Sequence, residues 1–98
     1  MPGYEFTIYV AGVTPRSERA VASMRRLCAE CIPDDHRIDV VDVLAEPQRA
    51  EADNVIATPT VIRMAPHPER RVLGDLSDMS RVLHELEIPS PRGSDLLG

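Results

Sequence analysis

Cys28-Ala29-Glu30-Cys31 sets the chain's two cysteines three residues apart. In a small α/β protein, a C-x-x-C pair has the spacing of a disulfide-exchange dithiol. Such a dithiol works when its attacking thiol is partly ionised near neutral pH, which the amides and dipole of a helix N-terminus achieve. Here the pair falls in the last turns of a predicted helix, where the dipole disfavours thiolate. Glu30, Asp34 and Asp35 act in the same direction. Cys28 and Cys31 also share the apolar stripe of that helix with Val21 and Met24, so the plainer reading is that both are small packed hydrophobes.

Zinc is a second chemistry to weigh. The two cysteines and His36 make three ligands where a structural zinc takes four. His67 and His84 have no ligand-like spacing, so no metal and no cofactor is expected. Hydroxyl chemistry is a third. Thr14 and Ser17 stand in the loop Gly12-Val13-Thr14-Pro15-Arg16-Ser17, but they read more simply as a helix cap and a first-turn residue. No Ser, His and Asp set presents itself as a triad.

The elements that must position these residues follow from periodicity. Tyr4 to Val10 alternate, with Phe6, Ile8 and Val10 on one face and Thr7 and Tyr9 on the other, a strand. Thr14 as cap, Pro15 at the first position and Glu18 as capping-box partner open a helix running to Cys31. Pro33-Asp34-Asp35 ends it. Residues 37–44, "RIDVVDVL", form a second strand with Ile38, Val40, Val41, Val43 and Leu44 largely buried. A short polar helix begins at Pro47, a third strand follows Pro59, and a fourth spans Arg71 to Leu73. Asp75, Ser77 and Asp78 are cap candidates for a last helix carrying Val82, Leu83 and Leu86. The order β-α-β-α-β-β-α is that of a thioredoxin-like mixed sheet, with a parallel opening unit and a later antiparallel hairpin. Thr58-Pro59, just before the third strand, matches the cis-proline that this fold sets opposite the helix-one loop.

Composition narrows the function. The 98 residues suffice for one small domain. A formal net charge of −5 argues against nucleic acid or an anionic membrane as partner, and one Phe, two Tyr and no Trp leave no stacking platform. "MPGYEFTIYV" has no basic leader and no run is apolar enough to span a membrane, so a cytoplasmic protein is expected.

"YVAGVTPRSERA", "IDVVDVLAEPQRAEADNVIATPT" and "RRVLGDLSD" together resemble the KaiB family of circadian clock proteins. The resemblance runs from about Tyr4 to Leu86. It implies a KaiB-like domain over 1–88, a flexible tail over 89–98 and no enzymatic activity. It also implies binding to the N-terminal ring of a phosphorylated KaiC-like ATPase and promotion of its dephosphorylation phase. A KaiA activator is a further implied partner, and a dimer or tetramer an implied assembly. The rival readings are a thioredoxin-like adaptor for another signalling protein, as in a histidine kinase pathway, and, less favoured, a thiol redox enzyme using Cys28 and Cys31. Members of the family switch folds: a ground-state form rearranges the C-terminal half, with Pro59, Pro66 and Pro68 as the prolines concerned. Arg19, Arg63, Arg70 and Arg71 occupy basic positions used toward partners, the last three as a cluster suited to an acidic patch. Asn54 stands where relatives often carry Lys, and His67 interrupts a run of prolines. Glu85 replaces a family Gly and the aromatic near the end is missing. With Pro89 closing the last helix, Glu85 should favour the thioredoxin-like form, by up to about 1 kcal/mol of helix propensity.

Overall fold

Tyr4–Val10 forms β1, the central strand, and its alternation is used on both faces. The computed structural model describes residues 2–90. Most of the tail expected over 89–98 therefore lies outside the described residues. The remaining elements are α1 (Pro15–Cys31), β2 (His36–Asp42), α2 (Pro47–Ala52), β3 (Thr60–Ala65), β4 (Arg70–Leu73) and α3 (Met79–Leu86). The sheet order is β2-β1-β3-β4, with β1 and β2 parallel and the other pairs antiparallel.

Phe6, Ile8 and Val10 point into a core closed by α1 and α3, joined by Met24, Leu27, Val61 and Val82. Tyr9 points the other way, into a smaller core with Val41, Ala50 and Ile62 beneath α2. Helices thus cover both faces, which makes the fold a thioredoxin-like α/β sandwich. Burying both sides of β1 gives each large side chain about 1.5–3 kcal/mol of transfer free energy.

The helix starts obey local chemistry. Thr14 lies in extended conformation and its hydroxyl oxygen accepts from the Ser17 amide at 3.1 Å. The capping box differs from expectation: the residue three beyond the cap is Ser17, whose hydroxyl oxygen accepts from Thr14 at 3.0 Å. Glu18 sits one position too far to close that ring. Asp78 is the cap of α3, accepting from the Arg81 amide at 3.1 Å.

β2 also departs from expectation. It stops at Asp42, and Val40 and Leu44 are exposed, 38% and 73% respectively, rather than buried. One Asp42 carboxylate oxygen accepts from the amides of Gly12 and Leu44, both at 2.9 Å, and this turns the chain out of the sheet. Gly12 adopts φ 74°, a left-handed turn open to glycine without strain.

Candidate functional site

The cysteine pair is positioned for packing. Cys28 is fully buried in the main core, and Cys31 is half-buried at its edge; both are free thiols. Burial pushes the Cys28 thiol up to about 12, with the neighbouring Cys31 adding to the shift. Burial and the Glu30 carboxylate raise Cys31 as well. At neutral pH the thiolate fraction of Cys28 is on the order of one in 10⁵, too small for an attacking group. Among the described residues no His, Cys, Asp and Glu cluster has the makings of a metal site.

The place a dithiol would occupy is the β1–α1 loop. Its hydroxyls, Thr14 and Ser17, are bonded to each other, and the Thr14 oxygen also accepts from the Ser17 amide. They share a small cavity of about 130 Å³ with Thr58 and Pro59. The Thr58–Pro59, Ala65–Pro66 and His67–Pro68 bonds are cis.

Four loops meet this end of the sheet: β1–α1, β2–α2, α2–β3 and β4–α3. The first three each carry a large exposed apolar side chain, Val13 (87%), Leu44 (73%) and Ile56 (87%). Beside them lies an apolar cleft of about 330 Å³ lined by Val10, Val13, Val21 and Val40. One end of the sheet therefore presents apolar side chains to solvent, the character of a docking surface. Sequence reasoning passed over Val13 and Ile56. The available signal was a bulky aliphatic next to a turn glycine, and another three residues before a proline, in segments otherwise polar.

Arg63, Arg70 and Arg71, expected as a cluster, are neighbours across β3 and β4, and Arg19 lies apart from them. Arg19 is exposed on α1, near the loop end. Arg70 and Arg71 lie at the start of β4, at the opposite end, and alternate in direction. Arg70 shares its face with Val72, and Arg71 pairs in register with Ile62 on the other. Arg63, expected as a solvated partner contact, is instead 4% exposed. Its guanidinium donates to the carbonyls of Leu86 (3.0 Å), Glu87 (3.3 Å) and Pro68 (2.6 Å), leaving Nε without a partner among the described residues. Arg63 and Arg70 stand directly opposite each other in the β3–β4 register. Two like charges there repel. The Glu87 carboxylate accepts from Arg70 at 2.5 Å, and that bond, then the charges of Arg70 and Arg63, lowers the Glu87 carboxyl below its ordinary value. Arg63 thus ties β3 to the end of α3 and is not available to a partner.

A family model described as "KaiB domain" matches residues 7–88. The chain belongs to the KaiB family. It is 40% identical over 81 residues to circadian clock protein KaiB3 of Synechocystis sp. (strain ATCC 27184 / PCC 6803 / Kazusa), covering 83% of this chain and 79% of that protein. It is 45% identical over 85 residues to the circadian clock oscillator protein KaiB of Prochlorococcus marinus (strain MIT 9313), covering 87% and 71%. Among solved structures it is similar to the N-terminal domain of Synechococcus elongatus SasA, with TM-score 0.71, 21% identity and coverage of 89% and 86%. It is also similar to mitochondrial thioredoxin 3 of Saccharomyces cerevisiae, with TM-score 0.67, 16% identity and coverage of 88% and 81%. These last two likenesses bear on fold. For a KaiB-family chain on a thioredoxin-like frame, the loop end is the candidate site: it carries packed hydroxyls in place of a dithiol and exposed aliphatics around them.

Proposed function

We propose that this KaiB-family protein is a non-enzymatic timing adaptor that docks on the N-terminal ring of a KaiC-like ATPase and promotes its dephosphorylation phase. The observation that carries the reading is the KaiB family match across residues 7–88. Two features of the chain support it. The thiols are buried and raised in pKa, against a redox activity. The loop end offers Val13, Leu44 and Ile56 to a partner, and Arg19 stands exposed in the first turns of α1 as a charged contact. Such a surface supplies apolar contact area at its centre and charge at its rim, the usual anatomy of a protein interface. Arg70 and Arg71 remain proposed contacts at the opposite end; Arg63 does not. Sequestration of a KaiA activator, where a host has one, belongs to the same reading.

The test is a dephosphorylation time course. The phosphorylated KaiC-like ATPase of the same organism is followed by gel mobility with and without this protein, and with the Cys28→Ala/Cys31→Ala variant. Equal acceleration by both forms is expected. An unchanged time course contradicts the adaptor reading, and loss of the effect in the alanine variant returns the cysteines to the mechanism.

A further inference from the structure

A further cavity, of about 420 Å³, lies between α1 and the turn at 74–78. Its volume is that of a small-molecule site. One wall is a stripe of α1: Arg16, Arg19, Ala20 and Ser23, spaced i, i+3, i+4 and i+7, share a helix face. The polar groups of that wall are donors. Neither Arg16 nor Arg19 has an ion-pair partner among the described residues, whereas Arg26, Arg49, Arg70, Arg71 and Arg81 all do. Arg16 and Arg19 place like charges on one face, and only Arg16 is felt across the cavity by a carboxylate, that of Asp75. The Ser23 hydroxyl also has no hydrogen-bond partner among the described residues.

The opposite wall is formed by Pro59, Leu76, Ser77 and Asp75. Asp75 is the one carboxylate there; its bonds from Ser77, then the charges of Arg81 and Arg16, hold its carboxyl below the ordinary value. Its oxygens accept from the Ser77 amide and the Ser77 hydroxyl, both at 2.9 Å. Its backbone carbonyl accepts from Arg81 at 2.5 Å. Asp75 therefore shapes the turn and leaves the lining with two cations against one anion. The Pro59 carbonyl is taken by the Gly74 amide at 2.9 Å, so this part of the wall presents ring carbons. Leu76 is buried beside it.

We propose that this cavity binds a small phosphomonoester. Two guanidinium groups and a hydroxyl on one stripe match a dianion with three terminal oxygens, whereas a single carboxylate is satisfied by one bidentate arginine. The apolar part of the opposite wall takes the carbon portion of the ester. The site shares Arg19 with the proposed partner surface, so it is tested on the isolated protein.

The experiment is an amide chemical-shift titration of the full chain with glycerol 3-phosphate, ionic strength held constant with sodium chloride. The expected result is saturable shifts centred on Arg16, Arg19 and Ser77. The Arg16→Gln/Arg19→Gln variant should bind about tenfold or more weaker, as loss of charge-assisted bonds requires. The Arg25→Gln/Arg37→Gln variant removes the same charge from two other arginines without ion-pair partners, and its affinity should be unchanged. Should the first variant lose its native circular dichroism, Arg19→Gln alone is titrated, with a smaller loss expected. Shifts that never saturate, or equal weakening in both double variants, overturn the site and leave diffuse charge attraction. Inorganic phosphate binding as tightly as the ester overturns the assignment of an ester.

Discussion

Tyr9 shows what one side chain does on the second face of the sheet. Its ring is buried beneath α2, and its hydroxyl donates to the Asp53 carboxylate and, at 3.2 Å, to the Arg49 carbonyl. The bond fastens the end of α2 to the central strand. Tyr9→Phe should cost about 1.5 kcal/mol in urea unfolding, because the charged acceptor loses its donor. Burial, then the Asp53 bond and charge, pushes the Tyr9 hydroxyl from 10.0 up to about 12. The folded state holds that proton more tightly than the unfolded chain. Its contribution is full below pH 10 and declines as pH rises toward 12. Absorbance of the phenolate should show one tyrosine ionising late, and Tyr9→Phe should remove that late step. Tyr9 was legible as facing away from Phe6 and Ile8, because alternation shows it. Its partners were not, since Arg49 and Asp53 lie forty and more residues away.

At the scale of elements, the boundaries of α1 were readable because Thr14-Pro15 and Pro33 are local signals acting on the backbone next to them. The end of β2 was not, because Asp42 turns the chain through amides that include Gly12, thirty residues earlier. Arg63 was harder still. Nothing in "TVIRM" indicates that its guanidinium is received by carbonyls of Leu86, Glu87 and Pro68. The Leu86 and Glu87 carbonyls reach it only once α3 has docked on the sheet, and the Pro68 carbonyl only once the β3–β4 turn has formed. Arg63→Ala strips three carbonyls of a buried charged donor and should destabilise the protein by about 3 kcal/mol, read by thermal or urea unfolding. Arg63→Lys should recover part of this, since an ammonium cannot span the same acceptors with a planar fork. Glu85 acts within its own helix, pairing with Arg81 at 3.0 Å. Glu85→Gly should lower stability by about 1 kcal/mol and loosen α3 in amide exchange. If exchange in α3 is unchanged, helix propensity at Glu85 is not what holds this element.

For the whole molecule, the sequence pattern was enough to establish a thioredoxin-like sandwich and KaiB membership, because both depend on segment order and on several motifs taken together. It did not reveal the surface, which depends on where loops converge. Val13, Leu44 and Ile56 come from three segments and become neighbours in function only through the parallel β1–β2 pair and the antiparallel β3. The same folding sets Arg19 at the end of the sheet away from Arg70 and Arg71, while the β3–β4 register brings Arg63 and Arg70 together and buries Arg63. No helix among the described residues is long and apolar enough to cross a membrane. The central claim is that this loop end, and not the cysteine pair, is what the protein uses. The direct measurement is co-elution with the KaiC-like ATPase of the same organism in ATP and in ADP, comparing the natural chain with Ile56→Asp. Binding by the natural chain, weakened about tenfold or more by a charge placed in the apolar surface, is the expected result. No binding in either nucleotide, or full binding by Ile56→Asp, would contradict the account.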